Sequence, residues 1–214
     1  MLVVHHLNNS RSQRILWLLE ELGAPYEIKF YQRDATTNLA PPELEAVHPL
    51  GKSPVITDQT SGGDDITIAE SGAIVDYIQR TYGGGKLPVP AAGPDFEKYN
   101  EWLHYAEGSA MLPLMVNLYV MRLGEAGAPL HPRIQSEMAN HLGYVEASLA
   151  GRDWLMGEFT AADAQMSFVG EVARAFGQAP TYPNIANWVA RFQARPAYVR
   201  ALEKGGAYNL GPQK

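Results

Sequence analysis

The 214 residues include no cysteine. That excludes a disulfide framework, a thiolate metal site and a cysteine nucleophile, and it leaves the redox compartment open. Positive charge is scarce too: 17 Lys and Arg against 23 Asp and Glu give a net charge of −6. General nucleic-acid binding needs a basic footprint, and a membrane anchor of the polybasic kind needs a basic run, so neither is expected. No stretch of about 18 apolar residues occurs, and no segment is expected to span a bilayer. Met1-Leu2-Val3-Val4-His5-His6-Leu7 carries no positive n-region and no apolar h-region. A cytoplasmic protein without a signal peptide is the expectation. Apolar residues are abundant instead, at 46%. At this length they suffice to bury a core without covalent staples, in one large domain or two small ones.

The two halves of the chain are patterned differently. Leu2-Val3-Val4 is strand-like, and Ile15, Leu16, Leu18, Leu19 and Leu22 recur at helical spacing up to Gly23, a left-handed stop. Tyr26, Ile28 and Phe30 alternate with Glu27, Lys29 and Tyr31 at strand period. A short helix is expected at Pro42 to Val47. Val55–Asp58 and Ile66–Ile68 flank turn chemistry and predict a hairpin. A helix opening at Ser71 ends at Gly83-Gly84-Gly85. The order β-α-β-(α)-β-β-α predicts a small mixed sheet with helices packed on it. Residues 83–94, rich in glycine and proline, form the expected linker between a domain at 1–82 and a second at 95–214. Beyond the linker only helices are expected: Asp95 to about Leu123, Pro132–Leu149, Thr160–Phe176, Asn184–Ala194 and Pro196–Leu202. Thr160-Ala161-Ala162-Asp163 is a capping box ahead of Met166, Val169 and Val172.

Three loop constellations draw attention. In Gly51-Lys52-Ser53-Pro54-Val55 a proline stands at the front of a strand, where it marks an edge or a deliberate turn. If the Ser53–Pro54 bond is cis, the Ser53 backbone is turned outward as an edge for an extended peptide-like ligand; otherwise this is an ordinary turn. Glu70-Ser71 lies at a strand-to-helix junction. Ser71 taken alone is a natural helix cap. Taken as a pair, the helix start and Ser71 suit a carboxylate and Glu70 an ammonium, which together match an amino-acid head group. Asn8-Asn9-Ser10-Arg11-Ser12, between the first strand and first helix, either caps that helix or faces a ligand.

The chain resembles the cytosolic glutathione S-transferase family. The resemblance rests on Asn9-Ser10-Arg11-Ser12-Gln13-Arg14-Ile15-Leu16-Trp17 to Gly23, His48-Pro49-Leu50-Gly51-Lys52-Ser53-Pro54, Ala69-Glu70-Ser71-Gly72-Ala73-Ile74, Thr160–Asp163, and Tyr182-Pro183-Asn184-Ile185 through Arg195-Pro196-Ala197-Tyr198. With His104-Tyr105-Ala106-Glu107-Gly108-Ser109, the first stretch looks most like a bacterial and fungal subgroup related to yeast Gtt enzymes. The resemblance implies an α/β thioredoxin-like domain that holds glutathione, an all-α domain that completes the pocket of a small hydrophobic electrophile, and a homodimer. It implies a cis bond at Pro54, pairing of the Ser53 backbone to the cysteinyl unit, γ-glutamyl recognition by Glu70 and Ser71, and Lys52 near the glycine end. Ser10, four residues before Arg14, matches the hydroxyl of serine-type members, with Ser12, Asn8 and Asn9 as rivals in the loop. Arg11 either lends positive field to the thiolate or is a solvated helix-start arginine. Tyr105, Ser109, Leu112, Tyr119 and Tyr208 are the candidates for the electrophile pocket. No tyrosine precedes the loop on the first strand, so the tyrosine-type mechanism is not expected.

Metal is not expected. His5 and His6 are neighbours on a strand and face opposite sides, and His48, His104, His131 and His141 lack ligand spacing. No nucleophile elbow and no P-loop is present. The function expected is a detoxifying glutathione transfer to an electrophilic or peroxidic small molecule. The alternatives are a glutathione-binding or dimerising scaffold, and a catabolic lyase or dehalogenase using the same thiolate. The standing of Ser10, Glu70 and Ser71 together, and the absence of an appended domain, favour the enzyme.

Overall fold

A computed structural model describes residues 1–212. It divides into two compact units. One is Met1–Pro88 together with the described residues from Phe192 onward; the other is Val89–Arg191.

The first unit is built on four strands: β1 (Val3–Leu7), β2 (Glu27–Tyr31), β3 (Val55–Gln59) and β4 (Asp65–Ala69). Their order is β2-β1-β3-β4, with β1 parallel to β2 and antiparallel to β3, and with β3–β4 forming the expected hairpin. Between β1 and β2 runs α1 (Ser12–Leu22), and α2 (Ser71–Tyr82) follows β4. The parallel β1–β2 pair requires a crossover, and α1 supplies it.

Helix α1 is covered on almost every side. Ile15, Leu16, Trp17, Leu18, Leu19 and Leu22 are fully buried. Part of that cover comes from α8 (Pro196–Gly205). Trp17 stacks on Phe192 with ring centroids 5.2 Å apart and meets Tyr198 edge-on at 5.4 Å. The polar groups of α1 are satisfied by the same partner: Glu21 receives Arg195 through two guanidinium nitrogens, and Glu20 receives Arg200 and Lys204. The sequence expectation assigned residues 95–214 to the helical part. The structure differs because the apolar stripe of Phe192, Ala197, Tyr198 and Ala201 is the surface that closes over α1.

The second unit holds α3 (Pro94–Tyr105), α4 (Met111–Met121), α5 (His131–Ser148), α6 (Ala161–Ala175) and all but the end of α7 (Pro183–Gln193). Its centre is α6, buried from Ala161 through Ala173. The capping box is present in full: Thr160 Oγ1 accepts the Ala162 N–H, and Asp163 Oδ2 accepts the Thr160 N–H at 3.0 Å. One expected long helix, Asp95 to about Leu123, is interrupted by a π-helical stretch at Ala106–Ala110. Pro113 explains the interruption. Its ring cannot sit against the carbonyl four residues earlier, at Ser109, in an unbroken α-helix, and a wider turn there relieves the clash.

Among the described residues, no helix is long and apolar enough to cross a membrane, and no cluster of three or more His, Asp or Glu side chains is arranged to hold a metal ion.

Candidate functional site

The site forms where the end of β1, the turn before β3 and the start of α2 meet the first turn of α1. Ser53 stands at the centre. Its peptide bond to Pro54 is cis. Its hydroxyl donates to the His5 carbonyl at 2.9 Å and accepts the Leu7 N–H at 3.3 Å, so the turn is fastened along β1. Ser10 Oγ lies 3.4 Å from Ser53 Oγ and accepts the Ser12 N–H at 3.2 Å, and it is 2.7 Å from Ser12 Oγ. Ser10 thus serves the helix start and also donates to the neighbouring turn at Ser53. Ser12 is fully buried and Ser10 is 4% exposed. Of the two hydroxyls, only Ser10 reaches toward Ser53.

The asparagines before Ser10 are committed elsewhere. Asn8 Oδ1 accepts the Arg33 N–H at 2.8 Å, and Asn9 Oδ1 accepts the Asn209 N–H at 2.7 Å. Asn9 has φ of 51°, a left-handed conformation that asparagine tolerates better than most residues. The Arg33 guanidinium donates to the carbonyls of Asn8, Asn9 and Asn38, at 3.1, 3.3 and 3.0 Å, and so holds the loop from below. Burial lowers the Arg33 pKa, and the charge of Arg11 lowers it further. Two guanidinium charges thus sit close to the Ser10 loop.

At the start of α2 the structure corrects one expectation. Glu70, not Ser71, occupies the cap position, and no side chain caps this helix. Ser71 is its first helical residue, and its buried hydroxyl accepts from Arg14 Nη2 at 2.8 Å. Arg14 lies in the first turn of α1, four residues after Ser10, so this bond ties the Glu70-Ser71 segment to the helix that the Ser10 loop leads into. Glu70 has φ 67° and ψ 113°, outside the regions an L-residue prefers, and its side chain is exposed. Such a conformation costs on the order of 1–3 kcal/mol and gathers at functional sites. Lys52 is exposed on the turn before Ser53, Pro54 is buried and Arg11 is half-buried.

The electrophile-pocket candidates fall in different places. Tyr105 is packed inside the helical unit: its hydroxyl meets His141 Nδ1 at 2.7 Å, and its ring lies edge-on to Trp102 and Tyr144. Burial, then the charges of Tyr144 and Glu101, push its phenol up to about 12. Ser109 is half-buried in the π-helical stretch, and Leu112 and Tyr119 are exposed on α4. Tyr208 belongs to the first unit and is half-buried.

Three residues around the loop were not singled out in the sequence: Arg14 as the partner of Ser71, Arg33 as the clamp, and His6. Arg33 sits 25 positions from Asn8, and no local pattern announces the pairing. His6 and His5 do face opposite sides of β1. His5 lies between Tyr31 and Thr57, at 2.9 and 3.2 Å, while His6 Nδ1 meets Ser12 Oγ at 2.8 Å.

Comparison with known proteins agrees with this architecture along the whole chain. The family model for the glutathione S-transferase N-terminal domain matches residues 1–80, and that for the C-terminal domain matches residues 106–196. Glutathione S-transferase 3 of Schizosaccharomyces pombe is 38% identical over 95% of this chain and 88% of its own. Among solved structures, a glutathione S-transferase of Actinobacillus pleuropneumoniae superposes with a TM-score of 0.85 at 34% identity, covering 98% of this chain and 95% of the other. A glutathione transferase family member of Pseudomonas fluorescens, solved with two glutathione bound, has a TM-score of 0.79 at 27% identity, covering 94% and 92%. With both halves matched in order and the mixed sheet, cis-proline turn and helical unit in place, the chain belongs to the glutathione S-transferase family.

Proposed function

We propose that this enzyme binds glutathione along Ser53 and the Glu70-Ser71 segment, stabilises its thiolate with the Ser10 hydroxyl, and adds it to an electrophilic or peroxidic small molecule. The observation that carries the reading is the meeting of the Ser10 loop with the Ser53 turn, 3.4 Å apart, just ahead of the helix whose Arg14 fastens Ser71. An extended tripeptide pairs its cysteinyl unit with the Ser53 backbone, which sets its sulfur toward Ser10. Its γ-glutamyl carboxylate takes the N-terminus of α2 at Ser71, its ammonium takes Glu70, and Lys52 attends the glycine end.

A free thiol has a pKa near 8.5, so only a few per cent is thiolate at neutral pH. Lowering it by about two units takes roughly 2.7 kcal/mol of preferential stabilisation of the anion. A hydroxyl donor at the positive end of α1, with the charge of Arg11 nearby, supplies stabilisation of that kind. Holding the thiolate against its partner adds a proximity gain. Within the helical unit, Tyr105, Ser109, Leu112 and Tyr119 are assigned to electrophile contact. A homodimer, a cytoplasmic location and a role in detoxification complete the proposal. Sizing of the purified protein should report twice the 23.5 kDa of one chain.

The test is titration with glutathione, following thiolate absorbance near 240 nm across pH. The expected result is a bound thiol that ionises well below free glutathione. Binding with an unshifted pKa would make the protein a glutathione-binding scaffold, and absence of binding would overturn the assignment.

A further inference from the structure

The loop that carries Ser10 is held from several sides within the first unit. The Ser53 turn meets Ser10 itself, and Arg33, just past β2, holds the carbonyls of Asn8 and Asn9. A further neighbour is the segment that follows α8. Asn9, the residue before Ser10, accepts the Asn209 N–H on its side-chain oxygen at 2.7 Å, across 200 positions of sequence.

That segment is shaped by its own hydrogen bonds. Helix α8 ends at Gly205, and Gly206, with φ of 83°, redirects the chain through a conformation that glycine adopts without strain. The Gly206 N–H caps the Leu202 carbonyl at 2.9 Å. Tyr208 to Gly211 then form a hydrogen-bonded β-turn, in which the Gly211 N–H donates to the Tyr208 carbonyl at 3.1 Å. Gly211 is buried, and a Cβ there would lie 3.1 Å from the Tyr208 carbonyl oxygen and 3.6 Å from Tyr208 Cδ1. Gln193 of α7 also fixes this turn, its carboxamide donating to the Leu210 carbonyl at 3.2 Å.

In a turn of this kind the N–H of the second residue has no acceptor inside the turn. Here that residue is Asn209, and Asn9 supplies the acceptor. Asn9 suits the task. Its φ of 51° is a left-handed bend that asparagine tolerates, its carbonyl is taken by Arg33, and its side-chain oxygen serves the turn. The residues on either side of Asn209 are Tyr208 and Leu210, an aromatic and an aliphatic side chain, both half-buried. No residue from Gly205 to Pro212 carries a charged side chain. Glutathione along Ser53 and the Glu70-Ser71 segment makes no use of this turn, so its apolar surface is left for whatever the sulfur attacks.

We propose that Asn9 is a specificity-determining residue. By holding the Tyr208–Gly211 turn against the Ser10 loop, it gives the first unit an apolar wall for the substituent that the sulfur acquires. This rests on the reading that the sulfur docks at Ser10. Asn9 acts through the turn and is therefore a positioning residue. Its bond to Asn209 is exposed and joins neutral groups, so losing it moves the turn without unfolding the chain.

The test compares the affinities of glutathione and of S-benzylglutathione, a conjugate of the product type, by calorimetry, with thiolate absorbance giving the bound-thiol pKa. Asn9→Gly removes the amide and keeps the left-handed backbone. Asn209→Pro removes the donor at a turn position where proline is favoured. In each, affinity for S-benzylglutathione should fall about three- to tenfold, the range for one neutral hydrogen bond. Affinity for glutathione and its bound-thiol pKa should stay as in the wild type. The double variant should bind S-benzylglutathione no more weakly than either single variant, because both remove the same bond. In the wild type, S-benzylglutathione and not glutathione should shift the amide resonances of Tyr208 to Gly211, a readout that stands even if a variant fails to fold. Equal losses for the two ligands, or a changed thiol pKa, would show that Asn9 acts on the Ser10 loop and would overturn the proposal. Unchanged affinity in both single variants, additive losses in the double variant, or resonances that do not move would overturn it as well. A wild type that binds neither ligand would instead overturn the underlying glutathione site, and the same titrations tell that failure from the others.

Discussion

At the start of α6, Thr160 and Asp163 satisfy each other's backbone, and Asp163 goes on to accept the Leu155 N–H and the Trp188 indole N–H, each at 3.0 Å. At the start of α2, no side chain caps the helix, Glu70 is held at a positive φ with its carboxylate in solvent, and Ser71 is gripped from behind by Arg14. Both segments are short polar stretches ahead of an apolar helical pattern. One has spent its hydrogen-bonding capacity on the fold. The other keeps a carboxylate and a helix N-terminus unspent, at a cost in backbone strain. The difference separates a stabilising helix start from one available to a ligand.

The contrast can be broken most severely at α6. Asp163→Ala strands three buried donors at about 1–3 kcal/mol each, so a loss of roughly 3–5 kcal/mol is expected in urea unfolding. Next comes the pH dependence of the same group. Burial raises the Asp163 carboxyl to about 6, outweighing the hydrogen bonds that favour its anion. A folded-state pKa above the unfolded value means that the contribution to stability is fully present below about 4 and is lost as pH rises through about 6. The wild type should therefore lose up to about 3 kcal/mol from this group across that window, and Asp163→Asn should lack that slope.

At the open site the effects should move from stability to function. Ser10→Ala should lower kcat on the order of 10²-fold while glutathione affinity stays within several-fold. Steady-state kinetics with a chromogenic electrophile would show it, and unchanged turnover would remove Ser10 from the chemistry. Substitution of Glu70 separates strain from recognition. Glu70→Ala should weaken glutathione binding by about 10- to 100-fold, as expected for one charged hydrogen bond. Glu70→Gly should weaken it equally and yet raise stability by about 1 kcal/mol, because glycine accepts a positive φ without strain. A Glu70→Gly variant that binds normally would show that the strain serves something other than the ligand.

Much of this was legible in one dimension. Ile15 to Leu22 with Gly23 marked α1, the capping box marked α6, and the turn-rich segment between Val55 and Ile68 marked the hairpin, because each depends on spacing among near neighbours. Glu70 and Ser71 could be named because they stand at a strand-to-helix junction, and Ser53 because it precedes a proline at the front of a strand, whereas Ser10 was picked out of its loop by the family resemblance. What could not be read was pairing across distance. Nothing near Phe192 says that it stacks on Trp17, and nothing near Arg33 says that its guanidinium will hold the carbonyls of Asn8 and Asn9. The break at Ala106–Ala110 had a local cause in Pro113, but its form as a π-helical turn was not legible in the sequence.

The sequence by itself determined the chemistry on offer: no thiol of its own, hydroxyls and a carboxylate at the helix starts, an acidic surface and two differently patterned halves. Composition and short-range periodicity suffice for that, since they are properties of the chain whatever its path. Tertiary structure alone decided which hydroxyl faces outward, which histidine stands behind it, and which helix start stays open. Those outcomes follow from burial, because desolvation makes each inward polar group find a particular partner, and the partners of Ser12, Ser71 and Asp163 are brought to them only by the folded path of the chain.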